Sequence, residues 1–195
     1  MENVKKKSPA LQSAIVGGKL LLICAIVAAI MAFVYQLTLA KYEENLQETK
    51  NQAVEQIFGQ DGLRCEELYT DGDTGAVVYR VLRESGDVEG YCAESVAPGF
   101  GGDLSVMVGY RADLSILGVS VVSMSETPGL GSKVGEAAYL DGYEGKTGEL
   151  TLGKEVDAIS GATISSKALL SAVNQATDAL QKAVTGIMTI GGDAS

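Results

Sequence analysis

The sequence predicts an α+β domain carried on a single N-terminal membrane helix. Three observations lead there. Leu20–Ala40 run 21 residues without a charge, and Arg64–Lys154 break into short β-like runs punctuated by glycine. Then Ile164, Ala168, Leu169, Ala172, Val173, Ala176 and Leu180 recur at three- and four-residue steps, which gives a helix one apolar face. The chain divides accordingly into a basic tail (1–13), a transmembrane helix (14–40), a connecting helix (41–60), a globular domain (61–186) and a flexible tail (187–195).

As a helix, 21 residues span about 31 Å, matching a hydrocarbon core of about 30 Å. Lys5, Lys6, Lys7 and Lys19 precede the apolar run, while Glu43, Glu44 and Glu48 follow it. The positive-inside rule therefore puts the N-terminus in the cytoplasm and everything after residue 41 outside it. Tyr35, near the outer end, suits the interfacial aromatic belt. A cleaved signal peptide ending at Thr38-Leu39-Ala40 is the competing reading, but its apolar region would be longer than such peptides use.

Tyr42, Leu46, Ala53, Val54 and Ile57 form a helical apolar stripe that stops at Gly59. Both a free stalk and a helix packed on the domain fit this stripe. Strands are predicted at Arg64–Tyr69, Ala76–Arg83, Tyr91–Val96, Leu104–Tyr110 and Ile116–Met124. Turn-like Asp71-Gly72-Asp73, Ser85-Gly86-Asp87 and Arg111-Ala112-Asp113 separate them, favouring a twisted, mainly antiparallel sheet. Ser105, Met107 and Gly109 interleave with Val106, Val108 and Tyr110, the alternation of a half-buried strand. The Ile164–Ala183 helix completes the α+β domain.

Composition excludes several functions. The net charge is −10, and residues 42–195 hold 10 basic against 24 acidic side chains, a poor match for nucleic acid. With no histidine, the commonest general base and metal ligand is missing. Cys24, Cys65 and Cys92 have no CxxC spacing, so no metal site is expected. Cys24 lies in the apolar run, whereas Cys65 and Cys92 are candidates for a disulfide in an oxidising compartment. Redox chemistry in this chain would need a cofactor.

Two motifs stand out. Asp157-Ala158-Ile159-Ser160-Gly161-Ala162-Thr163-Ile164-Ser165-Ser166 opens the last helix, where free N–H groups and the positive end of the macrodipole favour an anion. The plain alternative is that Ser160 or Thr163 simply caps the helix. Upstream, Glu126-Thr127-Pro128-Gly129-Leu130-Gly131 sets a tight turn, and its glycines would let a flat ring approach the backbone.

Asp-x-x-Ser-Gly-Ala-Thr resembles the recognition motif of flavin transferases, which move FMN from FAD onto the final threonine. Together with the N-terminal span, Glu126–Gly131, Gly99-Phe100-Gly101-Gly102, Val106–Gly109 and Leu117-Gly118-Val119, the chain resembles the G subunit of Rnf-type ion-translocating ferredoxin:NAD oxidoreductases. The resemblance implies an FMN-binding domain with FMN in phosphoester linkage to Thr163. Asp157, Ser160, Gly161 and Ala162 would form the transferase signature, Ser165 and Ser166 would bond the phosphate, and Glu126–Gly131 would face the flavin ring. It also implies an electron-carrier protein in a cell-membrane translocase. Its partners would be a second FMN-bearing subunit, iron–sulfur-bearing subunits, membrane lipid and a maturing flavin transferase. Many relatives carry a histidine shortly before the Glu-Thr-Pro-Gly run, where this chain has Ser123-Met124-Ser125. The C subunit of sodium-pumping NADH:quinone reductases shares both motifs and is typically longer. A cofactor-free, membrane-anchored scaffold is the alternative from a different class.

Overall fold

The computed structural model describes residues 9–191, which fall into two compact units divided between Gln47 and Glu48. Lys5, Lys6 and Lys7 of the basic tail, and residues 192–195, lie outside the described residues. Within the first unit, helix α1 (Pro9–Phe58) contains an apolar stretch, Gly17–Gln36, long enough to cross a membrane and with no part of it buried in the protein. The separately predicted connecting helix is continuous with it. No proline or helix-ending glycine interrupts residues 37–58, so the backbone ladder has no reason to break until Gly59, whose φ is +63°.

The second unit is built on a five-stranded meander. The strands are β1 (Arg64–Thr70), β2 (Val77–Leu82), β3 (Val88–Pro98), β4 (Asp103–Tyr110) and β5 (Ile116–Met124), in spatial order β1-β2-β3-β4-β5 and antiparallel throughout. Short connections explain the topology, because each turn is long enough only to reverse the chain beside its predecessor. Beyond β5, a 3-10 turn (Gly131–Gly135), the short α2 (Ala137–Leu140) and a second 3-10 turn (Asp141–Tyr143) tuck Val134, Leu140 and Tyr143 into the core. The last helix, α3, spans Thr163–Gly191 and runs past the predicted end at Ala183. Gly186 costs such a helix roughly 1 kcal/mol relative to alanine without ending it.

α3 covers one face of the sheet. Leu169, Ala172, Val173, Ala176, Ala179 and Leu180 pack in one cluster with Val78, Ala93, Leu104, Val106, Val108 and Ile116. The alanines leave so little between helix and sheet that Ser95 Oγ on β3 donates to the Ala172 carbonyl at 2.6 Å. Tyr110 and Thr177 pair their hydroxyls at 3.0 Å beneath the helix.

The C-terminal turns of α1 belong to this unit and cover the other face, with Ala53 and Val54 buried. Gly90 and Gly109 admit them, since a Cβ at either position would strike Phe58 or Ile57. Lys50 Nζ reaches Glu94 on β3 at 2.7 Å. The expected half-buried alternation of β4 is therefore corrected: Leu104 through Tyr110 are all buried, because both faces are covered. Cys65 and Cys92 are free thiols. They sit on β1 and β3, which flank β2, with one thiol in hydrogen-bond contact with the other.

Gly90→Ala would place a Cβ 2.6 Å from the Tyr110 carbonyl oxygen as well as against Phe58. We expect it to cost about 1–3 kcal/mol. Gly142→Ala, where nothing lies within 4 Å, should be near neutral. Thermal unfolding of the two variants checks both, and equal melting temperatures would refute the close contact.

Candidate functional site

Three segments meet at one end of the domain: the Gly99–Gly102 turn between β3 and β4, the Ser125–Gly131 run after β5, and the N-terminus of α3. Antiparallel order brings them together, because β3 ends, β4 begins and β5 ends on the same side of the sheet. Between them lies a cleft of about 250 Å³. Thr127, Leu130 and Gly131 form one wall, and Gly161, Ala162, Thr163, Ile164 and Ser165 another.

The α3 wall is set by local backbone chemistry. Ala162 N donates to the Ile159 carbonyl at 2.9 Å, closing a β-turn whose third residue, Gly161, has φ +81°. A side chain there would be strained, and a Cβ would stand 3.2 Å from Leu130 Cδ1. Ile159 N donates to Ser166 Oγ at 3.0 Å, so Ser166 is buried and ties the turn to the helix. Thr163 opens α3 with its side chain exposed at the cleft.

Glu126 is the centre of the opposite wall. Its carboxylate, 8% exposed, accepts from Phe100 N at 2.8 Å and from Ser165 Oγ at 2.9 Å. One side chain thus ties all three segments. Gly99 and Gly131 leave room for it, because a Cβ at either would collide with a carboxylate oxygen. The Glu126 side chain thus lies on the buried side of the α3 N-terminus, opposite the exposed Thr163.

The structure separates the sequence-predicted residues. Glu126, Thr127, Leu130, Gly131, Gly161, Ala162, Thr163 and Ser165 line one cleft. Pro128 and Gly129 form an exposed turn beside it, in which Gly129 N donates to Ser132 Oγ at 2.9 Å. Asp157 and Ser160 are exposed and lie away from the lining, with the Asp157 carbonyl held by Tyr139 Oη at 2.9 Å. Phe100 and Ile164 also line the cleft, although the sequence motifs assign neither a role there. Phe100 carries a signal: an aromatic between glycines, here 68% exposed, is poor core material. A larger, polar groove of about 590 Å³ runs along the outer flank of α3 past Thr74 and Glu149, and none of the predicted residues lines it. Among the described residues no three His, Cys, Asp or Glu side chains gather into a metal-binding group.

The chain is similar to several known proteins. Residues 99–178, which hold all three segments, match the FMN-binding domain family. Over 168 residues the chain is 33% identical to the G subunit of the ion-translocating oxidoreductase complex of Methanosarcina acetivorans, covering 82% of this chain and 89% of that one. It is 34% identical over 110 residues to the G subunit of the Na(+)-translocating ferredoxin:NAD(+) oxidoreductase complex of Acetobacterium woodii, covering 51% and 53% of the two chains. Among solved structures, NqrC of Shewanella oneidensis aligns over 51% of this chain and 54% of its own, with 27% identity and a TM-score of 0.44.

Tyr139→Phe removes the hydroxyl that holds the Asp157 carbonyl. The expected cost is about 1 kcal/mol or less, felt locally. Hydrogen exchange should quicken at residues 157–161 while the melting temperature barely moves, and unchanged exchange there would refute the tie.

Proposed function

The chain belongs to the G-subunit family of ion-translocating oxidoreductase complexes, and on that footing we propose that it carries FMN in phosphoester linkage to Thr163. It serves as an electron carrier within a membrane-bound ferredoxin:NAD oxidoreductase and performs no catalysis alone. The observation that supports this most is the position of Thr163. It is an exposed hydroxyl at the first residue of α3, on the cleft wall, and it ends the Asp-x-x-Ser-Gly-Ala-Thr signature.

The residues present suit the group. At Gly161 a left-handed backbone and the lack of a Cβ keep the approach to Thr163 open. A cleft of about 250 Å³ is smaller than the roughly 300–1,000 Å³ of pockets that engulf their ligands. A flavin seated here keeps part of its surface available to a partner. Leu130, Ile164 and Phe100 offer apolar contact, Phe100 being the aromatic member. When bound, FMN supplies one-electron chemistry that no side chain of this chain provides. The chain's own part is to hold the ring, shield it from water on the cleft side and set the charge around it.

The chain is anchored by its apolar span. The lysines before it and the glutamates after it support an N-terminus in the cytoplasm and a domain on the far side, where a bond prevents loss of the cofactor. Electrons then pass between this carrier and membrane subunits bearing a second FMN and iron–sulfur centres. Ferredoxin and NAD engage other subunits, on the cytoplasmic side. Asp157 and Ser160, exposed and outside the cleft, are available to the flavin transferase during maturation.

Expressed with a flavin transferase, the protein should fluoresce in a denaturing gel under ultraviolet light. Its mass should rise by one FMN less one water, and Thr163→Val should abolish both signals. A dark wild-type band of unmodified mass would end the covalent reading.

A further inference from the structure

Glu126 does more than brace the cleft. It is a carboxylate 8% exposed, and among the described residues it forms no ion pair with any Lys or Arg. Both of its hydrogen bonds come from uncharged donors, the Phe100 amide and the Ser165 hydroxyl. Burying such a charge is costly, and a neutral side chain would brace the same segments more cheaply. Two glycines, Gly99 and Gly131, are nevertheless placed where any Cβ would collide with its oxygens. Glu126 also lines the cleft itself, beside Thr163 and Leu130.

We propose that Glu126 is a charge-setting residue: its fixed carboxylate holds down the reduction potential of the flavin attached at Thr163. This rests on the FMN reading above and deepens it. An electron passed to the ring by a partner subunit brings negative charge into the cleft until a proton from water follows it, against a carboxylate that cannot turn away because it is tied at both oxygens. Glu126 and Thr163 line one cleft of about 250 Å³, about 8 Å across if taken as a sphere, so a ring seated there would lie within about one Debye length of the charge. The bias comes from a charge prearranged in the apo fold, not from rearrangement on reduction.

The test uses the full-length protein, loaded with FMN by co-expressed flavin transferase, in detergent at pH 8. Midpoint potentials are read by spectroelectrochemical titration of wild type, E126Q and S165A, with covalent loading scored by in-gel fluorescence. E126Q removes the charge and keeps an amide of the same shape, so its midpoint should rise. On the order of tenfold in the reduction equilibrium is expected, about 59 mV per electron. S165A keeps the charge but removes a donor that disperses it, so its midpoint should fall. An E126Q midpoint at or below wild type overturns the proposal, as does a rise in both variants, which is the mark of a merely structural brace. If E126Q does not load, S165A decides alone: a lower midpoint supports the proposal, and an unchanged or higher one overturns it. Absence of covalent flavin from wild type would instead strike the FMN reading, so the two failures are distinguishable.

Discussion

The position of the site depends on how closely the last helix lies on the sheet. Ala168, Ala172, Ala176, Ala179 and Ala183 face the strands, and each contributes only a methyl group. The axis therefore approaches near enough for Ser95 to reach the Ala172 carbonyl at 2.6 Å. Larger side chains would lift the helix and its first residue together. With the axis held, Thr163 is carried to the end of the sheet where β3, β4 and β5 present their loops. Packing across the whole helix is thus expressed as the placement of one hydroxyl.

The sheet is largely legible from residue patterning. Ile116–Met124 has the bounds that its pattern predicts, β1, β2 and β4 differ by one residue at their ends, and β3 runs Val88–Pro98 where the pattern predicts only Tyr91–Val96. Glycine- and aspartate-bearing turns make this possible, since each interrupts the β-like texture for a local reason. Long-range contacts are not legible. The pattern of β4 looks half-buried because Ser105, Met107 and Gly109 are weak core residues, yet α1 lies over them. Nothing local announces that Ile57 and Phe58 will pack on strands that begin 30 or more residues later. The continuity of α1 and the extension of α3 beyond Ala183 escape for a related reason. A change in composition, or one tolerated glycine, resembles a boundary when only the sequence is in view.

The candidate site divides in the same way. Thr163, Gly161 and the Glu126–Gly131 run are visible because their chemistry is local: a hydroxyl at a helix start, a glycine in a turn, a carboxylate in a loop. Their roles are not all visible. Glu126 points inward to Phe100 and Ser165, a tie between segments 26 and 39 residues away in the chain. Ser166 serves the Ile159 turn from inside the helix. Asp157 and Ser160 belong to the signature yet stand apart from the cleft.

The shallowness of the cleft has its own consequence. Affinity from enclosure grows with the surface taken out of water, and a seat of this size removes little. An electron carrier gains from that openness, since tunnelling to a neighbour favours a short path without intervening protein. The same openness would let a freely dissociating molecule escape. The linkage proposed at Thr163 would resolve the conflict by keeping the local concentration permanently high while leaving the outer surface bare. Retention and exposure, opposed in a deep pocket, become separately adjustable.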